Sequence, residues 1–340
     1  MCAQIVAVDY QLGRNCVTNS QLAGLSDQWT EEKIWQKTGV KERRIAGDDE
    51  YASDLACGAA ERLFARAVCR PVDVDFLVYV TQSPDQFMPA TACILQARLG
   101  LPSHCGAIDI NQGCSGYVYG LGVVSGLIDS GQARGALLLC GDTVSRYLAP
   151  NDLSVRTLFG DAGSATWIQA SDPAQHAIGP FLHGTDGTGA GNLCVRGGGL
   201  RHPTGQENEP PQMFMDGPEV FAFTMSAVPS AVRALLERAQ LTADDIDLFV
   251  FHQANGFILE HLRSKLKIPK ERFVVAMDQC GNTTSSSIPI ALRIAEDDGR
   301  LCAGMRVMVV GFGVGYSWSL SILKWGKTSS SPPPMVLGNA

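Results

Sequence analysis

The first constraint on the fold is an internal repeat. Segment 72–80 places acidic residues before a short run of β-branched, aromatic and other apolar residues, and segment 244–251 has the same pattern. Each segment is followed by a helical pattern that ends in a leucine-rich sequence closed by proline, at Pro102 and at Pro269. The offset of 167 residues between these prolines persists along the chain. A repeat of this length predicts two similar units in the 340-residue chain.

The repeated unit has the order β-α-β-α-β. After each proline the sequence predicts a strand, at 106–110 and 273–277, then a polar turn with glycine and a helix of small and apolar residues. A further apolar strand follows at 136–140 and at 307–310. Continuous apolar strands that alternate with helices predict largely parallel sheets covered on both faces. Two such sheets about a pseudo-dyad predict an α/β fold with five layers, α/β/α/β/α.

Interruptions of this pattern predict how the chain is divided. Residues 1–172 are expected to form the N-terminal half, and residues 217–326 the C-terminal half. Residues 173–216 are rich in Gly, Pro and Asp, which predicts an excursion over the surface. The Ser- and Pro-rich tail 327–340 is predicted to be disordered.

Composition excludes several classes of function. Lys and Arg number 27 and Asp and Glu 34, a net charge of −7 without a basic cluster, so no nucleic-acid partner is expected. The chain has no signal-peptide pattern and no run of about 18 apolar residues, which predicts a cytoplasmic protein that does not cross a membrane. The cysteines number 11 and are scattered singly, which favours reduced thiols over disulfides and gives no support for a metal site.

Cys114 is the first candidate for chemistry. It lies in Gly113-Cys114-Ser115-Gly116, where a predicted buried strand turns into a helix of small residues. The positive end of a helix dipole favours a thiolate, so we expect a lowered pKa at this thiol. The alternative is an ordinary buried core cysteine.

His252 and Asn282 are the second and third candidates. His252 follows a buried strand, at the edge where open α/β sheets place their ligand sites. Asn282 lies next to position 281, which corresponds to Cys114 in the repeat. A histidine at a strand end is often only a hydrogen-bonded structural residue, but in a pseudo-dyad the two turns face one another. The glycine-rich segment 311–315 is either a hairpin turn or a loop that offers a backbone N–H to an oxyanion near Cys114.

These residues give the chain a family resemblance. Segments 109–116, 159–165, 252–255, 281–285 and 312–318 follow in an order and spacing similar to those of the thiolase-fold condensing enzymes, specifically the β-ketoacyl-acyl-carrier-protein synthase III group. The resemblance covers about residues 1–326 and implies a thiolase fold and a homodimer. It also implies that Met88, in the loop 83–92, is a gate of the partner's acyl pocket.

The resemblance also implies an acyltransferase mechanism. Cys114 would accept the acyl group, and its oxyanion would be held by the backbone N–H groups of Cys114 and Val314. His252 and Asn282 would hydrogen-bond the thioester carbonyl of a malonyl-type extender while it loses CO2. The partners would be acyl-coenzyme A or acyl-carrier-protein thioesters and a malonyl-type thioester. The product would be a 3-oxoacyl thioester, and no metal or redox cofactor would be required.

Several positions depart from the family pattern. Lys33 and Leu153 stand where the priming synthases carry the Trp and Arg that clamp the adenine of coenzyme A, and Phe257 stands where they carry an Arg for carrier-protein docking. These departures predict a non-standard starter. The residues left as candidate contacts to the donor or its carrier are Trp35, Lys37, Arg156, Arg263 and Lys265, with Lys267 beside them.

Other functions fit parts of the same pattern. One alternative keeps the acyl-cysteine but transfers the acyl group to a hydroxyl or an amine in specialised metabolism, with His252 as general base. The order Cys, His, Asn also occurs in papain-like hydrolases, but their local cysteine signature is absent and the duplicated α/β pattern argues against them. A non-catalytic subunit would need none of the three polar residues.

Overall fold

The computed structural model describes residues 2–172, 178–204 and 210–326, so the tail predicted at 327–340 lies outside the described residues. The strands are β1 Cys2–Leu12, β2 Asn15–Thr18, β3 Glu42–Ile45, β4 Phe76–Val80, β5 Gly106–Ile110, β6 Gly135–Asp142, β7 Ala162–Ser171, β8 Ile178–Thr185, β9 Leu193–Arg196, β10 Gln212–Met215, β11 Leu248–Phe251, β12 Arg306–Gly313 and β13 Ser317–Lys324. The α-helices are α1 Asn19–Ala23, α2 Glu31–Thr38, α3 Ala52–Ala65, α4 Thr91–Arg98, α5 Gly116–Asp129, α6 Leu153–Arg156, α7 Gly217–Ala239, α8 Gly256–Lys265 and α9 Ser287–Asp297.

The first sheet has the strand order β1-β7-β6-β4-β5. β4 pairs in parallel with both β5 and β6, whereas β7 pairs antiparallel with β6 and with β1. Every residue of β6 is buried. A strand covered on both faces needs apolar residues at consecutive positions, which explains the uninterrupted apolar run in this part of the sequence. The predicted strands at 106–110 and 136–140 are confirmed.

The second sheet has the order β11-β12-β13-β8, with β11 and β12 parallel. The prediction of a strand at 273–277 is wrong, because only Phe273 forms a single β-bridge. Beyond that bridge the side-chain amide of Gln253 accepts a hydrogen bond from the Ala276 N–H at 2.8 Å and donates to the Val274 carbonyl at 3.3 Å. These bonds satisfy backbone groups that a neighbouring strand would otherwise have to pair.

Helices form three layers around the two sheets. Helices α3 and α4 cover the outer face of the first sheet, α5 and α9 lie between the sheets, and α7 and α8 cover the outer face of the second sheet. The core between the sheets packs side chains of both halves together, among them Val80, Tyr117, Leu138 and Val309. The predicted α/β/α/β/α arrangement is therefore confirmed.

The interval 173–216 contains more regular structure than its composition predicts. β8 lies within it and pairs with β13 as the edge strand of the second sheet, and β9 and β10 form a separate antiparallel pair. Proline is tolerated in edge strands, and Pro180 lies in this one. Part of the interval predicted as a surface excursion is therefore built into the second sheet.

Helix α7 begins where the predicted C-terminal half begins. The Asp216 side chain accepts a hydrogen bond from the Glu219 N–H and caps the helix. Among the described residues, α7 is the one helix long and apolar enough to cross a membrane by length and composition alone. One face of α7 packs on β8, β12 and β13.

Candidate active site

Cys114 lies at the start of α5, between the two sheets. Ser115 stands at the N-cap position of this helix, and its hydroxyl hydrogen-bonds the hydroxyl of Ser317 at 2.7 Å instead of a helix N–H. The turn that carries Cys114 is thereby tied to β13 of the other half. The strand-to-helix turn predicted for this cysteine is confirmed.

The hairpin between β12 and β13 packs directly against the Cys114 thiol. Gly313 has a φ of +154°, and a Cβ at this residue would lie 2.7 Å from the Cys114 Cβ and 2.9 Å from its Sγ. Glycine is required at this position because no larger residue leaves room for the thiol. The segment 311–315 is thus a hairpin turn that comes close to Cys114, and the backbone N–H of Val314 hydrogen-bonds the sulfur.

The pKa of the Cys114 thiol is raised to about 12, mainly by burial and further by the negative charge of Asp142. The backbone N–H groups of Val314 and Cys114 act in the opposite direction and lower the pKa. The expectation of a lowered pKa is therefore wrong, because loss of solvent outweighs the helix dipole and the N–H donors. At neutral pH the resting group is a thiol.

His252 follows β11 and is buried. Its Nδ1 lies 2.7 Å from the hydroxyl oxygen of Ser287, and that oxygen also accepts a hydrogen bond from the Gln253 N–H at 3.3 Å. In the tautomer in which the Ser287 hydroxyl donates to Nδ1, the imidazole proton lies on Nε2. Burial lowers the pKa of His252 to about 3, against a backbone hydrogen bond with Thr284 that raises it. His252 is thus a neutral imidazole with an N–H to donate.

Asn282 is held by backbone and side-chain bonds. Its backbone N–H donates to the Leu158 carbonyl at 2.9 Å, and its carbonyl accepts from the Gly160 N–H at 3.0 Å. Its side-chain Nδ2 donates to the Ala254 carbonyl at 3.1 Å, and its Oδ1 accepts from the Thr284 N–H at 3.0 Å. An amide nitrogen carries two hydrogens, so one remains for a ligand.

Three residues of the site were missed by sequence reasoning. Asp142, the last residue of β6, is buried, and its pKa is raised to about 6 because burial opposes its charge. Thr284 contacts both His252 and Asn282, and Ser287 orients His252. Asp142 could have been found by the reasoning that found His252, because it is a polar residue at the end of a buried apolar strand.

A cavity of about 680 Å³ opens at Cys114. The polar groups in its wall include Cys114, Asp142, Thr284 and the turn at Val314. Elsewhere its wall contains apolar and aromatic side chains, including Phe87, Val144, Tyr147, Phe159, Leu193, Val195 and Met213. The cavity therefore joins a thiol with hydrogen-bond donors to an apolar compartment.

Comparison with known proteins identifies the family. Residues 108–187 match the family described as 3-oxoacyl-(acyl-carrier-protein) synthase III, and residues 236–325 match its C-terminal part. The β-ketoacyl-(acyl-carrier-protein) synthase III of Caldanaerobacter subterraneus subsp. tengcongensis is 36% identical over 330 residues, which are 96% of this chain and 99% of that protein. The chain belongs to the 3-oxoacyl-(acyl-carrier-protein) synthase III family. It is a condensing acyltransferase of this type, as the sequence resemblance predicted.

Solved structures agree with this synthase III assignment. A crystal structure of a 3-oxoacyl-(acyl-carrier-protein) synthase III is 46% identical, with a TM-score of 0.91 over 96% of this chain and 100% of that one. The priming β-ketosynthase of the R1128 polyketide biosynthetic pathway is 29% identical, with a TM-score of 0.90 over 96% of this chain and 97% of that one. These matches confirm the predicted thiolase fold.

In this synthase III chain, the candidate contacts to coenzyme A have separate partners. Leu153 is buried against Leu22 and Ile34 in a small apolar cluster. Trp35 is 38% exposed with the Lys41 ammonium over its ring, whereas the Lys37 ammonium lies over the Trp29 ring at 4.9 Å. Arg156 donates to the Pro150 carbonyl.

The residues near the predicted carrier-docking position are mainly aromatic. Phe257 is 51% exposed and contacts the rings of Phe221 and His261. Arg263 is paired with Glu260 and also donates to the Ile268 carbonyl, and Lys265 donates to the Met225 carbonyl. Both cations therefore have partners within their own chain.

Met88 does not line the cavity and is 81% exposed, while its neighbour Phe87 lines it. No group of three or more His, Cys, Asp or Glu side chains in the described ranges could hold a metal ion.

Proposed function

We propose that this synthase III performs a decarboxylative Claisen condensation through an acyl-Cys114 intermediate. The observation that supports the proposal is the pair of neutral donors, His252 and Asn282, which both contact Thr284, a residue in the wall of the same cavity as the Cys114 thiol. Such donors stabilise negative charge on oxygen without a metal or redox group.

In the first half-reaction, the Cys114 sulfur attacks the carbonyl carbon of an acyl thioester. The bond from that carbon to the donor sulfur breaks, and the Cys114 proton leaves with the donor thiol. The N–H groups of Cys114 and Val314, which hydrogen-bond the resting sulfur, are suited to hold the oxyanion of the tetrahedral intermediate.

In the second half-reaction, a malonyl-type thioester loses CO2, and the electron pair of the broken bond forms an enolate. The enolate oxygen accepts hydrogen bonds from His252 Nε2–H and Asn282 Nδ2–H. The enolate carbon then attacks the acyl-Cys114 carbonyl, Cys114 leaves and takes up a proton, and a 3-oxoacyl thioester remains. A histidine whose pKa is lowered to about 3 keeps its neutral donor form through this sequence.

The lowered pKa of His252 disfavours transfer of the acyl group to a hydroxyl or an amine. That reaction needs His252 as a general base, and an efficient base has a pKa near the working pH. Burial instead lowers the pKa of His252 to about 3. Condensation is therefore the better match, and O- or N-acyl transfer is the second candidate.

The starter we propose is larger than acetyl and arrives on a carrier protein or another donor. The apolar wall of the cavity supports a larger acyl group. Leu153 is packed in an apolar cluster, and Lys33 donates to the Gln28 carbonyl, so neither supplies the clamp on the adenine of coenzyme A that the family resemblance implies. Trp35, Lys37, Arg156, Arg263 and Lys265 remain our candidates for contacts to the donor or its carrier.

We also propose a homodimer in the cytoplasm. β5 is an edge strand of the first sheet, and Ile108 on it is exposed, as are Phe87 and Met88 in the neighbouring loop. An unpaired strand edge beside apolar side chains favours pairing with a second copy. Met88 could then reach the partner's acyl pocket as its gate. The exposed thiols of Cys16, Cys93 and Cys302 suit a reducing compartment.

The function is tested by intact-protein mass spectrometry after incubation with a panel of acyl thioesters on coenzyme A and on a carrier protein, followed by a malonyl thioester. The expected result is one acyl mass added, and its loss with release of CO2 when the malonyl thioester is added. Loss of the acyl mass to an alcohol or an amine without CO2 release would establish the second candidate instead.

A further inference from the structure

We propose that Asp142 is a positioning residue that sets the orientation of both His252 and Asn282 through Thr284. Asp142 ends β6 in the first sheet, whereas His252, Asn282 and Thr284 all belong to the other half. The inference rests on the condensing function proposed above and adds to it a link between the two halves.

The carboxylate of Asp142 accepts hydrogen bonds from both halves. Oδ1 accepts from the Gln82 N–H at 2.7 Å, after β4. Oδ2 accepts from the hydroxyl of Thr284 and from that of Ser285 at 3.1 Å. The groups that lower its pKa are uncharged donors, and burial is the dominant opposing influence. Burial of a carboxylate costs free energy even when the carboxylate accepts hydrogen bonds. We therefore expect the groups that bond to Asp142 to have a function.

Thr284 contacts all three of the other residues. Its hydroxyl bonds Asp142 and also lies 2.8 Å from the Thr283 carbonyl, its backbone N–H donates to Asn282 Oδ1 at 3.0 Å, and its backbone carbonyl accepts from the imidazole of His252. Its φ is +51°, a conformation that a β-branched residue adopts only when its surroundings enforce it. The bond to Asp142 is positioned to enforce it, because it anchors the Thr284 side chain to the first sheet.

Because of this arrangement, protonation of Asp142 should disturb the positions of the two donors, His252 and Asn282. A carboxylate can accept from Thr284 and Ser285 at the same oxygen, whereas a protonated carboxyl loses part of this capacity. The titratable groups that interact with Asp142 are Cys114, Cys140, Tyr79 and Tyr147, and the pKa of each is raised. Asp85 also lines the cavity. His252, with its lowered pKa, stays neutral through the mildly acidic range.

A matched pair of substitutions tests the link. Thr284→Val keeps the branched shape and removes the hydroxyl that reaches Asp142. Thr283→Val, one residue earlier, removes a buried hydroxyl that has no hydrogen-bond partner. We expect Thr284→Val to lower CO2 release from a malonyl thioester at least about tenfold, with acylation of Cys114 within about threefold of wild type. Thr283→Val should match wild type in both rates, and Thr284→Ser should rescue CO2 release.

A second measurement does not depend on the reaction. In protein labelled with 15N-histidine, the ring signals of His252 should change in Thr284→Val and in Asp142→Asn but not in Thr283→Val, while those of His183 and His261 stay constant. Unchanged His252 signals, or equal CO2 release in Thr284→Val and Thr283→Val, would overturn the positioning role. If wild type is acylated but releases no CO2, the condensing function fails, and the 15N signals still decide the role of Asp142.

The pH profile supplies a further readout, which also serves if Thr284→Val does not fold. CO2 release by wild type should fall as the pH drops through about 6, the pKa of Asp142. Asp142→Asn should be slow and lack this acidic limb. Persistence of the limb in Asp142→Asn would contradict the proposal, whereas a purely structural role would change the unfolding temperature and leave the limb in place.

Discussion

Cys114 and Cys280 lie in neighbouring positions of corresponding turns in the two halves, but their surroundings differ. Both are buried, and burial raises the pKa of each thiol to about 12. Cys114 receives hydrogen bonds from two backbone N–H groups, whereas Cys280 donates its own hydrogen to the carbonyls of Ala276 and Gly281, at 3.5 Å each. Burial and turn position are thus shared, whereas the backbone N–H groups at Cys114 and the cavity that it lines separate a candidate nucleophile from a core thiol.

The largest expected effect is the loss of the acyl adduct. Cys114→Ala should form no adduct with a competent acyl thioester, because the group that accepts the acyl chain is gone. Cys280→Ala should acquire one acyl mass as wild type does, and so should Cys194→Ala, although Cys194 lines the same cavity. Peptide mapping of an adduct to Cys280 or Cys194 would remove the distinction between the two halves.

The next effect concerns the donors of the second half. Asn282→Ala should accept the acyl group at Cys114 normally and release CO2 about a hundredfold or more slowly, since one hydrogen bond to the enolate oxygen is lost. Both rates can be followed on the same sample, by mass spectrometry and by trapping of CO2. Release at the wild-type rate would show that the second half does not supply the enolate donor.

A smaller effect is expected from crowding the thiol. Gly313→Ala would place a methyl group 2.9 Å from the Cys114 sulfur, so the hairpin that carries the Val314 N–H must move. Gly304 also has a positive φ, +91°, but open space around it, so Gly304→Ala isolates the backbone cost, which is about 1–3 kcal/mol. Both variants should lose stability, whereas only Gly313→Ala should slow acylation, by about tenfold. Equal acylation rates in the two variants would mean that the hairpin N–H is dispensable.

The smallest expected effect is on the pH dependence of the free energy of unfolding, and it should be the same for both cysteines. The unfolded thiol titrates near 9 and the folded one near 12, so the unfolded chain loses its proton first and the free energy of unfolding falls as the pH rises between these values. Each thiol should contribute a slope of about 1.4 kcal/mol per pH unit. Urea unfolding at several pH values should show a shallower slope for Cys280→Ala and for Cys114→Ala alike. A change of slope in only one of the two variants would contradict the equal rise in pKa that burial gives both thiols.

Much of the fold could be predicted from the sequence, because apolar strands and glycine-ended helices recur at a constant offset. Cys114, His252 and Asn282 could be predicted as candidate site residues because each follows a predicted strand, and Cys114 and Asn282 lie in corresponding turns of the repeat. The strand expected at 273–277 failed because a side chain, that of Gln253, satisfies backbone groups that periodicity assigns to a ladder. The local pattern of apolar and polar residues does not show that a side chain takes the place of a neighbouring strand.

The electrostatics of the site could not be predicted in the same way. The helix start at Cys114 indicated a thiolate, but the outcome depends on how completely other segments cover the sulfur, and that coverage comes from a hairpin almost 200 residues later in the chain. Thr284 and Ser287 were missed for a related reason, since their roles arise from hydrogen bonds to residues distant in the sequence, Asp142 and His252.

Burial of the Cys114 thiol should also protect it against oxidation. Peroxide and other electrophiles attack thiolates far faster than thiols, and they must also reach the sulfur. A buried cysteine whose pKa is raised to about 12 is almost wholly protonated at neutral pH, so it should react slowly with oxidants. Oxidation should therefore occur first at the exposed thiols of Cys16, Cys93 and Cys302, while Cys114 remains reduced.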